Sequence, residues 1–300
     1  MSSYQENRRG IVALTSACAI FTFNDTLSKL TALTYPPGEV LFARGVGSMI
    51  CVAVVLIYAH QLSWVVGALK PIVILRATLD AVANTAFILA LTHMRLADLL
   101  AVNLVSPLLL TMLMAFFFNE PVGWRRWTAI LVGLTGMLVI VRPSANAFNI
   151  WAPVAFAAAV ASALRDLTTR KIDTRVPTLA ITFVSVIAAT SSGLILALGF
   201  GEQWAWVEPK YLAFVGLASL ALGVSTPFAV SAFRNVDVSV VAPFRYTLLV
   251  WGVLAGYLVF NEIPDGWSLF GSSLIVGSGL YTLHRERVRH REISAKAAIQ

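Results

Sequence analysis

Apolar stretches of about 20 residues, each long enough to cross a bilayer as a helix, recur from one end of this chain to the other. Nothing constrains its fold more. In hydrocarbon every backbone N–H and C=O must be paired within the protein, which leaves helices and closed barrels, and runs of this length read as helices. Charged residues make up 12% of the chain and hydrophobic ones 58%. A soluble domain carries about 25% charged residues, so this chain has too little polar surface to coat a globule in water. Ten helices are predicted, over 10–33, 38–59, 71–92, 96–118, 124–141, 150–170, 177–199, 210–232, 237–260 and 267–284. Breaker residues mark their ends, as in "YPPGE" (35–39), "GALKP" (67–71) and "EIPDGW" (262–267). The first run is too long for a signal peptide and no small-residue cleavage site follows it, so it is expected to be a spanning helix. Cys18 and Cys51 lie inside apolar runs and read as small packing residues.

Charge placement gives the expected orientation. Ten spans put both termini on one side. That side holds Arg8, Arg9, Lys70, Arg125, Arg126, Arg170, Lys171, Arg175, Arg234 and a basic tail; the other holds Lys29, Arg95, Arg142 and Lys210. The asymmetry places both termini in the cytoplasm. The net charge of +7 is carried by these flanks and not by a basic patch with interleaved aromatics, so no nucleic-acid partner is expected. Trp64, Trp124, Trp151, Trp204, Trp206 and Trp267 fall at predicted helix ends, as an interfacial aromatic belt requires.

The tripeptide Phe-Asn-Glu closes an apolar run twice, at 118–120 and at 260–262. A shift of about 141 residues aligns more than this motif. "FNDTLSK" (23–29) meets "LRDLTTR" (164–170), so Asp25 falls on Asp166 and Lys29 on Arg170; Pro36 falls on Pro177 and Phe42 on Phe183. The predicted first helix therefore matches the sixth, and the fifth matches the tenth. Five is odd, so the second copy enters the membrane from the opposite side. The fold class is an all-α membrane protein of ten transmembrane helices in two inverted five-helix repeats, 10–142 and 151–285. Residues 1–9 precede them and 286–300 form a basic cytoplasmic tail. Inverted repeats are the usual architecture of secondary transporters, with the site near the midplane between the halves.

An arginine early in the second helix (Arg44), Pro107 thirteen residues before Glu120, and an apolar helix that closes on "NE" before "GW" together resemble the EamA-type drug/metabolite transporter superfamily. The second copy departs from the pattern: Leu249 stands where the proline is expected, and Pro243 lies earlier. The resemblance covers residues 10–285. Within the superfamily the chain looks most like a bacterial exporter of aromatic amino acids. The resemblance implies helices 1–4 and 6–9 around a central cavity, helices 5 and 10 at the periphery, and export of small metabolites across the inner membrane without ATP. A monomer without cofactors is expected, and a multidrug or other metabolite exporter of the same fold is the alternative.

Polar residues inside apolar runs are the candidate site, because charge at bilayer depth is costly. Asp80 lies about 14 Å into the third helix by helix rise, and Arg76, Asp80 and Asn84 share one face. This stripe either lines the substrate path or holds a packing pair, Arg76–Asp80. Asp80 is the expected receptor for a substrate ammonium, with Asn84, Asn103 and Arg245 offering hydrogen bonds to the rest. Phe244, Tyr246 and Trp251 would contact a side chain, or only pack. Asp25–Lys29 and Asp166–Arg170 are i, i+4 pairs near opposite faces, readable as gates or as structural pairs. Arg44 is expected to meet an acidic group or a loop carbonyl, and Glu120 and Glu262 to anchor loops. Small residues in the fifth and tenth helices point to a contact between the halves. An intramembrane enzyme is the rival class. Its serine–histidine or paired-aspartate geometry has no source here, since His60, His93, His284 and His290 fall at helix ends or in the tail. No metal cluster is expected either.

Overall fold

The computed structural model describes residues 4–118, 123–142, 150–169, 171–173, 175–205, 207–231 and 238–297. Its helices are α1 (Tyr4–Ala32), α2 (Pro37–Tyr58), α3 (Pro71–Leu91), α4 (Leu96–Asn103, resuming as Ser106–Phe118), α5 (Trp124–Val141), α6 (Trp151–Thr169), α7 (Thr178–Phe200), α8 (Pro209–Ser231), α9 and α10 (Gly266–Ala297). The ninth is composite: Val238–Val241, a 3₁₀ stretch Ala242–Tyr246, then Thr247–Phe260. A one-turn helix, Trp64–Gly67, sits in the connection before α3. The protein is thus an all-α membrane protein of ten helices in two inverted repeats. Among the described residues, seven helices meet a length and hydropathy test for crossing a bilayer; α6, α8 and α10 complete the ten.

Local sequence explains the helix ends. Proline opens α2, α3 and α8, where its missing N–H costs nothing. Left-handed residues close α5, α7 and α9: Arg142, Gly201 and Asn261. The tail is not separate from the last spanning helix, because residues 280–297 contain no proline and no glycine and α10 runs through them. The fourth helix of each repeat breaks at one register: α4 between Asn103 and Ser106, α9 at the end of its 3₁₀ stretch, Tyr246. Pro107 lacks the N–H that would reach the Asn103 carbonyl, and the Ser106 hydroxyl donates to that carbonyl instead, at 2.5 Å.

The packing obeys the repeat. α1 lies against α8 as α6 lies against α3; α2 lies on α7, α5 on α10, and α4 on α9; α1 meets α9 as α6 meets α4. Exchanging the halves returns the same set of pairs, and each extensive pair joins one helix from each half. Two of the self-related pairs cross at reciprocal glycines. A Cβ on Gly136 would lie 2.6 Å from the Gly271 carbonyl, and one on Gly271 2.5 Å from that of Gly136. On α2 and α7, a Cβ on Gly38 would lie 2.8 Å from the Gly193 carbonyl, and one on Gly193 2.8 Å from that of Gly38. Small residues at these crossings let the backbones touch. The main core draws on both halves, with Ile88, Leu99 and Val102 beside Ala155, Ala159 and Ile275. Outward faces are apolar: Val55, Leu138, Leu198, Leu258 and Phe270 are all exposed, as lipid-facing residues must be.

Candidate functional site

The chain alternates direction with each span, so residues on different helices can be assigned to one of two ends. Polar ties occur at both. At the end that carries the termini, α3 meets α6 and α7. Arg165 Nη1 donates to Asp80 Oδ1 at 2.8 Å, and Arg165 Nη2 lies 2.9 Å from Asp166 Oδ1. Arg76 donates to Thr169 Oγ1 at 2.9 Å and to Ser185 Oγ at 2.5 Å. Of the two readings of this stripe, the packing pair Arg76–Asp80 does not form an ion pair among the described residues; Asp80 takes Arg165 from the other half.

At the opposite end α1, α4, α5, α9 and α10 converge. Lys29 Nζ meets Glu262 Oε1 at 2.5 Å and the Met94 carbonyl at 2.9 Å, while Glu262 Oε2 accepts the Leu96 N–H at 2.9 Å. The same ammonium lies 4.7 Å from the centroid of the Phe260 ring. All three residues of the second Phe-Asn-Glu motif thus contribute here. Phe260 faces a cation, Asn261 takes the left-handed cap, and Glu262 binds Lys29. Of the first copy, Phe118 ends α4, and Asn119 and Glu120 lie outside the described residues. Arg95 pairs with Asp98 at 2.7 Å and with Asp265 at 3.4 Å, and Arg142 also pairs with Asp265. The Ser268 backbone N–H, with Arg142 and Arg95, holds the Asp265 carboxyl well below the usual carboxylate range.

Between the ends runs a polar wall on α1, α2 and α3. Arg44 is buried and donates from Nη1 to Ser28 Oγ and from Nη2 to Asn84 Oδ1, both at 3.2 Å. The Asn84 amide in turn donates to the Asp80 carbonyl at 3.2 Å. Asn24 Nδ2 donates to Asp25 Oδ1 at 2.9 Å. A separate recess of about 790 Å³, mostly apolar, opens beside α3, α6 and α7, where Thr85 donates to Ser192 at 2.9 Å.

The residues expected at the site divide into two groups. Asp80 and Asn84 come together with Arg44 and Arg165. Asn103 ends the first part of α4. Phe244 and Arg245 are exposed, and Arg245 makes no ion pair with Asp80 among the described residues. Tyr246 is buried over Gly279, and Trp251 packs near Leu14, Cys18 and Val241. The i, i+4 pairing of Asp25 with Lys29 does not form, since Lys29 turns to Glu262. Asp166 pairs with Arg165, and Arg170 lies outside the described residues. Sequence reasoning gives no weight to Asn24, Ser28 and Ser185, and little to Arg165. A signal for Arg165 is present: two charges side by side, Arg165 and Asp166, in an alanine-rich helix.

Comparison with known proteins adds to this geometry. The sequence model described as "EamA-like transporter family" matches residues 8–142 and again 149–283. The S-adenosylmethionine uptake transporter of Rickettsia conorii is 29% identical over 267 residues, covering 88% of each chain. The pseudopaline exporter CntI of Pseudomonas aeruginosa is 27% identical over 278 residues, 90% of this chain and 94% of that one. A riboflavin transporter of Rhizobium johnstonii is 28% identical over 219 residues, 72% of this chain and 71% of that one. A crystal structure of 18% sequence identity superposes with a TM-score of 0.66 over 91% of this chain and 96% of the other, which shows the shared fold.

Proposed function

Because the chain belongs to the EamA-like transporter family, a family of small-metabolite carriers, we propose that it moves amino acids or amino-acid derivatives across the inner membrane by alternating access between its two repeats. The observation that supports this reading is the polar wall of Asn24, Asp25, Arg44 and Asn84, lying between a tie at each end of the bundle. Both ties join helices from different halves. Releasing one while the other holds would open the interior to one side only. A substrate with an ammonium and a carboxylate needs partners for both in a low-dielectric interior. Arg44 and Asn84 suit the carboxylate, and the aspartates suit the ammonium. S-adenosylmethionine, which the Rickettsia relatives take up, carries such an amino-acid head. The relatives include both uptake and export proteins, so the direction of net transport follows the driving gradient.

The test is counterflow in proteoliposomes loaded with unlabelled compound. Labelled S-adenosylmethionine or an aromatic amino acid is expected to accumulate transiently, and riboflavin is not. Arg44→Met should reduce initial counterflow at least tenfold while the protein still purifies as a monodisperse species. Accumulation of riboflavin alone, or of none of the three, would overturn the assignment.

A further inference from the structure

Two arginines inside the spans, Arg44 on α2 and Arg76 on α3, have no carboxylate within 4 Å among the described residues, whereas Arg95, Arg142 and Arg165 each have at least one. Arg245 shares this lack but is exposed. Arg44 is 7% exposed and Arg76 is half-buried. A guanidinium does not shed its charge inside a protein, and a buried charge without a counter-ion is expensive. Neutral acceptors serve the two arginines instead, and these acceptors correspond. Arg44 donates to Ser28 Oγ at 3.2 Å, and Arg76 to Thr169 Oγ1 at 2.9 Å. The shift of about 141 residues that relates the repeats carries Ser28 onto Thr169. It also carries Arg44 onto Ser185, the second acceptor of Arg76, at 2.5 Å. The guanidinium of Arg76, reaching over from the other half, thus fills the place that an arginine at 185 would hold.

The carboxylates of the two clusters are occupied in the same manner. Asn24 donates to Asp25 at 2.9 Å, and Arg165, which the repeat aligns with Asn24, donates to Asp166 at 3.0 Å. Arg165 also takes Asp80. α8 lies on α1 and α2 as α3 lies on α6 and α7, so the clusters are counterparts in the inverted repeats. Arg44 is about 10 Å along α2 from the end opposite the termini, and Arg76 is about 8 Å along α3 from the end that carries them. α3 joins the two. Arg44 donates to Asn84, and Asn84 follows Arg76 on the same face of α3, about 12 Å further on, with Asp80 between them.

Resting on the transport reading above, we propose that Arg76, with Thr169 and Ser185, is a second carboxylate site that serves the face carrying the termini, and that a substrate's carboxylate passes along α3 between it and Arg44. Each guanidinium can offer a carboxylate two parallel N–H bonds by exchanging its hydroxyl partners for the anion. Each cluster also holds an aspartate, so both ends of an amino-acid head find a partner at either stop. Asp80 lies between the stops as a like charge and gives the carboxylate no resting place midway. One central site would need only Arg44. Two sites, each near one face, let a carrier that is closed at one end load from the other without opening to its full depth.

Chemical modification of the wild-type protein tests this without depending on a variant that folds. In membrane vesicles with the face carrying the termini outward, phenylglyoxal should modify Arg76, as located by mass spectrometry. S-adenosylmethionine should slow that reaction about tenfold, and its decarboxylated form, which keeps the ammonium, should not. Entry kinetics in vesicles of the two orientations give a second readout. Arg76→Met should raise the KM for S-adenosylmethionine about tenfold at the face carrying the termini and leave it within about twofold at the other, and Arg76→Lys should recover part of the loss. The second site would be overturned, with the transport reading left standing, by an Arg76 that is unreactive, or unprotected while Arg44 is protected, or protected equally by the decarboxylated form. An equal rise in KM at both faces would count the same way. If S-adenosylmethionine protects neither arginine and phenylacetate protects both, the two carboxylate sites hold and the amino-acid substrate falls. Protection of neither by either compound would overturn both.

Discussion

Single charged side chains show where the sequence is legible and where it is not. That Asp80, Arg44 and Lys29 matter is visible from composition alone, because ionised groups inside apolar runs must find partners. Who those partners are is not visible. Lys29 and Asp25 share a helix face, but the long lysine stem carries its charge toward the helix end, where Glu262 waits, 233 residues away in sequence. Asp80 likewise finds Arg165 across 85 residues rather than Arg76 on its own helix. The spacing rules describe one helix, and these pairs belong to two. The Lys29–Glu262 pair gives a direct prediction. Lys29→Met should destabilise the protein by about 3 kcal/mol, because it leaves a largely buried carboxylate without its cation. Adding Glu262→Gln should recover much of that loss, as neither charge then remains. A double-mutant cycle on melting in detergent measures the coupling; additive losses would show that the pair contributes only packing.

Helices carry the next level of information, and here the sequence is more open. Apolar run lengths, prolines and the Phe-Asn-Glu repeat give the spans, their order and the five-helix unit. The breaks in α4 and α9 are legible only in part: Pro107 marks one, while Pro243 sits on the other side of the corresponding break. Close approach between helices is partly visible too. Small residues announce the α5–α10 contact, but not the α2–α7 crossing at Gly38 and Gly193, since isolated glycines in a strongly apolar helix look like dilution rather than contact. Two substitutions on α7 separate the cases. Gly193→Ala places a Cβ 2.6 Å from the Phe42 backbone nitrogen and 2.8 Å from the Gly38 carbonyl, neither of which can swing aside, and should cost about 1–3 kcal/mol. Gly199→Ala meets nothing within 4 Å and should be neutral or stabilising by up to about 1 kcal/mol. Thermal unfolding of both in one detergent checks the contrast, and equal effects would count against the crossing.

At the scale of the whole molecule, we propose that the repeats span 10–142 and 151–285 and that both termini face the cytoplasm, as the distribution of arginine and lysine requires. Cysteines placed singly at Ser2 and Asn146, in a variant lacking Cys18 and Cys51, should react with an impermeant reagent from opposite sides of the membrane. Labelling of both from one side would contradict ten spans. The interleaved packing has a consequence for how the protein is made. α1 ends at Ala32, but the helix it lies against, α8, begins only at Pro209. At translation speeds of about 5–20 residues per second, α1 waits on the order of 10–35 seconds for its neighbour. Over that interval Lys29 is without Glu262, so the nascent first half must be sheltered by the insertion machinery or held near the interface. Each half is therefore a poor substitute for a domain. Made alone it would be a target for membrane proteases, and made together from two messages the halves should rescue one another, as subunits of a dimer do.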